Sequence, residues 1–299
     1  MKILVIIVTY NAMQWAERCF NSLYSSTIVP DVFVVDNGST DGTQSYIHEH
    51  YPEVMFQQSE ENLGFGKANN VGLQYAFDND YDFVYLLNQD AWIFSETLEI
   101  LVGVSQKYPE YGILSPFQIE SNNEHLDKKF KQKVCNWQSS PELLDDLYFQ
   151  KNKDAIQVTH VMASHWLITR NCLQKVGGFS PIFPHYGEDN NFEHRAVYKG
   201  FKIAIVPACK AVHDRENRVE SKKKQIYQKY IDGLVRMSNP QMKLSKAIIV
   251  TICSALKNTF RLKSVFPILN LLKTMAHFNQ IMHSRQFSMQ NENAFLDKN

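Results

Sequence analysis

No stretch of 18 consecutive apolar residues occurs in this 299-residue chain, which excludes a conventional transmembrane helix. The five cysteines, Cys19, Cys135, Cys172, Cys209 and Cys253, are odd in number, widely spaced and free of any C-x-x-C pair. Neither a disulfide framework nor a thiolate zinc site is indicated, and a reducing cytoplasm is the simpler compartment. Net charge is absent too: 31 basic residues balance 31 acidic ones, so bulk electrostatics name no partner. There is no internal repeat. The glycine fingerprint of a dinucleotide-binding turn is incomplete, because Asn69 stands at the third glycine position after Gly64-Phe65-Gly66 and no strand leads directly into the turn. The most local absence is of acid. From Gly233 to Asn291 there is no Asp or Glu, while lysines and arginines recur from Arg236 to Arg285. A neutral chain with a basic tail points to an anionic surface for that tail.

What is present describes a globular protein. Hydrophobic residues make up 44% of the chain and aromatics 12%, too much for a disordered one. The length accommodates an α/β domain of about 200–250 residues with a smaller appendage. The opening MKILVIIVTYNA has a short apolar run with no small-residue cleavage site after it, and reads as a buried first strand rather than a signal peptide. Ile3–Val8 is continuously apolar, as in a parallel strand covered on both faces. Helical patterns over Trp15–Tyr24 and Phe65–Phe77 alternate with strand patterns at Val32–Val35, Val54–Gln57 and Phe83–Leu87. Ser39 or Thr40 is expected to cap a helix through the Tyr46 region, and Ser95 to begin another with Glu96 in its first turn. Residues 117–156 read as a polar excursion, after which strand character returns over Val158–Thr169. Glu188–Lys199 reads as a helix and Phe201–Pro207 as a strand, with a polar loop running through His213. Beyond about residue 220 the pattern is helical, punctuated by Pro240 and Pro267.

This alternation predicts an α/β fold with a doubly wound, mainly parallel sheet and a C-terminal helical appendage. In such sheets ligands bind beyond the carboxyl ends of the strands. The clusters Thr9–Asn11, Asp36–Asp41 and Asn88–Asp90 all follow strand ends, so they are expected to meet in one cleft. Asp36 serves equally as a turn and cap residue or as an acceptor for a nucleobase N–H, with the following helix N-terminus favouring an anion. Asn88-Gln89-Asp90 is an ordinary strand-end turn or a ligand for a hard cation such as Mg2+ or Mn2+, whose shell substrate phosphates complete. Glu188-Asp189 opens a helix, where two acids answer the macrodipole or supply a general base. Lys67 is a solvated helix lysine or a phosphate partner. His213 completes a metal site only if the fold brings it to Asp90.

Taken in order, seven segments resemble family-2 glycosyltransferases of the GT-A fold, particularly bacterial rhamnosyltransferase-like members. They are IVTYNA at 7–12, VVDNGSTDGT at 34–43, NLGFGKANNVGL at 62–73, YLLNQD at 85–90, GGF at 177–179, YGED at 186–189 and VH at 212–213. The resemblance implies a GT-A catalytic domain over 1–220, with a Rossmann-like donor-binding half to about 116 and an acceptor half over about 117–220. A helical, basic region fills 221–299. Thr9 and Asp36 would hold the base and nucleoside of the donor, with Lys67 near its phosphates and Asn11, Asn37 and Asn88 also binding the donor. Asn88-Gln89-Asp90 would stand for the D-x-D motif, with Asp90 as the metal-contacting carboxylate and His213 approaching the metal or diphosphate. Asp189 would be the catalytic base, with Glu188 positioning the acceptor. Two departures are visible: Asn88 replaces the first acid of D-x-D, and NNFEHRA follows Glu188-Asp189 where relatives carry a further acid and leucine.

The implied activity is inverting transfer from a dTDP-, UDP- or GDP-linked sugar, with rhamnose as one candidate. The acceptor would be a hydroxyl of a glycan or lipid-linked molecule in cell-surface polysaccharide synthesis. The alternative is a catalytically inactive relative that binds nucleotide sugar or scaffolds a glycan-assembly complex. In the tail, Leu244, Ile248, Ile252, Ala255 and Leu256 can share one helical face. That face is suited to a membrane interface with its cations near anionic headgroups, or to packing on the catalytic domain or in a homodimer. The expected location is cytoplasmic and peripheral, on the cytoplasmic face of the inner membrane. Nucleic acid is not expected, because the tail's apolar content fits a membrane better.

Overall fold

The computed structural model describes residues 1–215 and 221–296. β1 (Ile3–Thr9) is apolar up to its last residue, and Leu4 to Ile7 are fully buried. Leu4 and Ile6 face one layer of core, and Ile3, Val5 and Ile7 the other, as the two-residue repeat of a doubly covered strand requires. α1 (Met13–Tyr24) buries Ala16, Cys19, Phe20 and Leu23 at three- and four-residue spacing. β2 (Asp31–Asp36), α2 (Thr43–His50), β3 (Met55–Gln58), α3 (Gly64–Asp78) and β4 (Phe83–Asn88) continue the alternation. These four strands pair in parallel in the order β3-β2-β1-β4.

Then come β5 (Ala91–Ile93), α4 (Thr97–Lys107), β6 (Tyr111–Ile119), α5 (Lys128–Lys133) and α6 (Leu143–Tyr148). β7 (Ile156–Val158), β8 (His165–Thr169), α7 (Arg170–Val176), α8 (Glu188–Tyr198) and β9 (Lys202–His213) complete the α/β body. The sheet extends past β4 as β8-β6-β9-β5, with β7 also on β9. β8 is antiparallel to β4 and β6, β6 and β9 are parallel, and β5 and β7 run antiparallel to β9. The sheet is therefore parallel in its first half and mixed in its second. β6 runs through the expected boundary near residue 116, so the two halves share one continuous sheet.

Several local expectations are corrected. α2 starts at Thr43 behind Gly42, whose φ is +92°; Ser39 and Thr40 do not cap it, because the Ser39 hydroxyl is committed to Asp36. α4 starts at Thr97 rather than Ser95, with Glu96 at the cap position and Glu99 as its first-turn acid. Strand structure over Val158–Thr169 is confined to its two ends. β9 does not stop at Pro207. The chain bulges there, with Val206 opposite Pro116 and Lys210 opposite Phe117, and pairing then resumes as far as Val212 on β6 and His213 on β5. A proline has no N–H for a ladder and marks such bulges. His213 is thus held at a strand end, not in a loop.

The remaining helices are α9 (Lys222–Ser238), α10 (Leu244–Leu262), α11 (Phe266–Ala276) and α12 (Phe278–Gln290). Pro240 separates α9 from α10, whereas Pro267 lies in the first turn of α11, where a missing N–H costs nothing. Ile231, Leu234, Met237, Ala247 and Ile281 form their own core, joined by Phe183 from the α/β body. The chain end then returns to that body. Asn293 N–H donates to Gln174 O (2.7 Å), Gly178 N–H donates to Ala294 O (2.8 Å), and Leu296 enters the main core. Among the described residues no helix is long and apolar enough to cross a membrane.

Candidate active site

Strand register brings the first three clusters together. Thr9 of β1 lies opposite Asp36 of β2, and Val8 lies opposite Asn88 of β4. Thr9 and Asp36 are fully buried. The Asp36 carboxylate accepts from Thr9 Oγ1 (2.7 Å), Ser39 N–H (2.8 Å), Ser39 Oγ (2.5 Å), Gly38 N–H (3.1 Å), Gln44 Nε2 (3.0 Å) and Gln58 Nε2 (3.2 Å). Burial alone would raise its pKa, but the Ser39, Thr9 and Gln44 donors outweigh that and hold it below the usual carboxylate range. Asp36 is therefore the organiser of the 37–43 loop. Asn11, exposed and at φ +51°, accepts from Thr40 N–H through Oδ1 (2.8 Å), tying that loop to the end of β1. Asn37 is buried and accepts from Leu63 N–H (3.3 Å), which links the loop to the approach to α3. Lys67 is exposed in the first turn of α3.

At the end of β4, Asn88 is partly buried and Asp90 buried. Gln89, given no role from sequence, clamps the backbone of Tyr10: its Oε1 accepts from Tyr10 N–H (2.7 Å) and its Nε2 donates to Tyr10 O (3.2 Å). The β5–β9 pairing carries His213 to Asp90, with Nε2 3.5 Å from Oδ1. Both side chains are buried, and neither ring nitrogen of His213 has a hydrogen-bond partner. Burial lowers the His213 pKa more than Asp90 raises it, so the imidazole is neutral and carries a lone pair for a ligand. No cluster of three or more His, Cys, Asp or Glu suited to a metal exists among the described residues. A carboxylate beside an imidazole whose ring nitrogens are unpartnered fits a divalent cation that takes its other ligands from diphosphate and water.

The second carboxylate centre stands at the N-terminus of α8. Gly187, at φ +87°, turns the chain so that Glu188 points inward and Asp189 stays partly open. Asp189 Oδ1 accepts its neighbour Asn190's N–H (2.8 Å). Glu188 is buried with Oε2 unpartnered, and burial, then the charge of Asp189, push it up to about 7. A Cβ placed on Gly66 of α3 would lie 3.6 Å from Glu188 Cβ and Cγ, so the Lys67 turn and the acid pair adjoin.

Two further residues escaped the sequence reading. Glu193 lies one turn after Asp189 on α8, and this spacing was the available signal. It accepts from Val161 N–H (2.7 Å) and pairs with His160 Nδ1 at 2.6 Å. Burial works against a charge on His160, but Glu193 outweighs it and raises the imidazole. Asn190 Nδ2 also reaches His160 Nδ1 (2.9 Å). Arg215, just past β9, forms a two-armed pair with Asp127 at the start of α5 (2.9 and 2.6 Å), fastening the 117–156 excursion beside His213.

A sheet whose strand ends gather polar loops and the Asp90–His213 pair, with an acid pair at the start of a neighbouring helix, has the architecture of a GT-A glycosyltransferase. The chain belongs to glycosyl transferase family 2: that family's model, "Glycosyl transferase family 2", matches residues 4–177, more than half of its length. It is similar to the N-acetylglucosaminyl-diphospho-decaprenol L-rhamnosyltransferase of Mycobacterium tuberculosis, 26% identical over 233 residues, 71% of this chain and 75% of that one. It is also similar to the low-salt glycan biosynthesis hexosyltransferase Agl10 of Haloferax volcanii, 26% identical over 249 residues, 82% and 77% of the two chains. Among solved structures, S. aureus TarS 1–349 in complex with UDP-GlcNAc shares the fold with a TM-score of 0.60 at 18% identity, covering 97% of this chain and 84% of that one. The expected fold class and glycosyltransferase identity are both borne out.

Proposed function

We propose that this glycosyltransferase is an inverting enzyme moving a hexose or deoxyhexose from a nucleotide-diphosphate donor to a hydroxyl of a glycan or lipid-linked acceptor, in cell-surface polysaccharide synthesis. The observation that carries this reading is the convergence of Thr9, Asp36 and Asn88 by register, with the Asp90–His213 pair beside them. The rhamnosyltransferase and hexosyltransferase names of the two relatives support a lipid-linked or glycan acceptor and make dTDP-rhamnose the first donor to try. The enzyme works as a peripheral protein on the cytoplasmic face of the inner membrane.

The nucleoside lies against exposed Asn11 and the 37–43 loop, which buried Thr9, Asp36 and Asn37 brace, and Lys67 faces the phosphates. A bound Mg2+ or Mn2+, held by Asp90 and His213, would neutralise charge on the departing diphosphate. Asp189 removes the acceptor's hydroxyl proton as that oxygen bonds to the anomeric carbon. The bond from that carbon to the diphosphate oxygen breaks on the opposite face, so the configuration inverts. Glu188, its carboxyl raised to about 7, donates a hydrogen bond to the acceptor in its protonated fraction without adding a second charge beside the base. Most of the acceleration comes from alignment and fixed charge.

Calorimetry with UDP, GDP and dTDP, with and without Mn2+, tests the donor site in wild type, Asp90→Ala and His213→Ala. One nucleotide is expected to bind in a Mn2+-dependent way that both substitutions abolish. Asp189→Asn should keep that binding while losing roughly 10²–10⁴-fold in transfer rate. Absence of binding by a folded wild type would refute the reading and favour a non-catalytic scaffold.

A further inference from the structure

The helical hairpin of α10 and α11 is turned inside out for a protein surrounded by water. α10 buries Ala247, Thr251, Ala255 and Asn258, all small or polar. α11 buries Pro267 and Thr274. A small crevice of mixed lining runs between α9, α10 and α11, where Arg236, Thr251, Asn258 and Asn270 meet Tyr230 and Leu271. Several large apolar side chains face outward. On α10, Ile249 is 60% exposed, Leu256 48% and Phe260 81%. On α11, Phe266, Leu269 and Leu272 are 50–60% exposed, and Val265 stands at the tip between the helices at 64%. The face differs from the one read in the sequence: Ala255 is buried, Leu244 and Ile248 pack on the helical core, and only Ile252 and Leu256 of that set point out.

The order follows from spacing at 3.6 residues per turn. Residues 249, 252, 256 and 260 make one stripe, and Lys246, Lys257 and Arg261 make the next, on its flank. All three cations are exposed, as are Lys263 at the tip and Lys273 on α11. No acidic residue occurs from Gly233 to Asn291. Large apolar side chains exposed together on two adjoining helices mark an interaction surface.

We infer that this face docks on an anionic lipid bilayer, with Phe260, Val265 and Phe266 entering the headgroup–acyl boundary and Lys246, Lys257, Arg261 and Lys263 meeting lipid phosphates. Apolar side chains flanked by cations, with no acid, complement a negatively charged interface. A two-fold contact with a second copy sets the same patch against itself and brings like charges together, so the bilayer is the favoured occupant. The inference deepens the peripheral membrane contact proposed above by naming the surface that makes it.

Co-sedimentation of the full chain with vesicles tests it, using phosphatidylcholine mixed with phosphatidylglycerol against phosphatidylcholine alone. Wild type should pellet with the anionic vesicles and be released by salt. Leu256→Ser with Phe260→Ser should weaken partition at least about tenfold through lost apolar burial. Lys257→Glu with Arg261→Glu should weaken it about tenfold or more, on anionic vesicles only. Because these side chains face outward, circular dichroism melts should match wild type. Wild type that ignores anionic vesicles, or variants that partition as wild type does, would overturn the inference. So would a dimer, seen by sedimentation velocity, that the same substitutions dissolve. Nucleotide binding by calorimetry should be unchanged in all variants, so failure of membrane docking and failure of the donor-site reading are separately visible.

Discussion

Replacing Glu188 by Gln should make the protein more stable in alkaline solution and leave its stability in acid nearly unchanged. The side chain is 4% exposed, Oε2 has no partner, and the carboxyl sits at about 7 against an ordinary 4.5. The groups around it are Asp189 on its own helix, which raises it further, and the Tyr227 phenol of α9, itself raised in part by Glu188. Because the folded-state pKa is the higher one, the folded protein binds the extra proton between 4.5 and 7. Stability therefore falls as pH rises through that window, is flat below it, and has lost the whole increment above 7. The increment is roughly 3 kcal/mol, at about 1.4 kcal/mol per tenfold change in proton affinity. A neutral glutamine of the same shape removes the slope, so the variant should melt roughly 6 °C above wild type at pH 8 to 9 and within a degree or two of it near pH 4.5. Differential scanning calorimetry across that range reads this directly, and subtracting the two curves cancels titrations common to both, including that of the His160–Glu193 pair. Parallel curves for wild type and variant would show that Glu188 ionises like a solvated acid, and the argument from its burial would fail.

Two further outcomes follow from geometry. Gly177 has φ +82°, and a Cβ there would fall 2.0 Å from Ala294 O, so Gly177→Ala should expel the returning chain end. A loss of several kcal/mol and faster proteolytic cleavage near residues 291–296 are expected, and an unchanged melt would refute the contact. Asp36→Asn removes half of the acceptor capacity that orders the 37–43 loop. Nucleotide affinity should fall at least about tenfold, with the loop amides exchanging faster by hydrogen–deuterium exchange; unaltered exchange would show that the loop holds itself.

The short-range features were readable because they are set by neighbours in the chain. A strand covered on both faces must be continuously apolar, so β1 and β4 declared themselves, and the polar residues at their ends marked a cleft. The family motifs occupy those same ends, which is why the fold and the glycosyltransferase identity were legible before any coordinates. Local signals misled where a side chain had a more distant use. Ser39 looks like a helix cap, but the buried Asp36 claims its hydroxyl, and Pro207 looks like a strand end because pairing beyond a bulge leaves no local mark.

What the sequence determined by itself is the set of elements, the strand-end polar clusters and the acid-free basic tail, all consequences of periodicity and composition. Tertiary structure alone decided which distant groups meet. His213 reaches Asp90 because β5 pairs antiparallel with β9, and His160 reaches Glu193 because the segment after β7 packs on α8. It also decided which face of α10 turns outward. The pattern allowed more than one, and the choice went to the face whose Ala247, Thr251 and Ala255 are small enough for close helix packing, leaving Ile249, Leu256 and Phe260 outside.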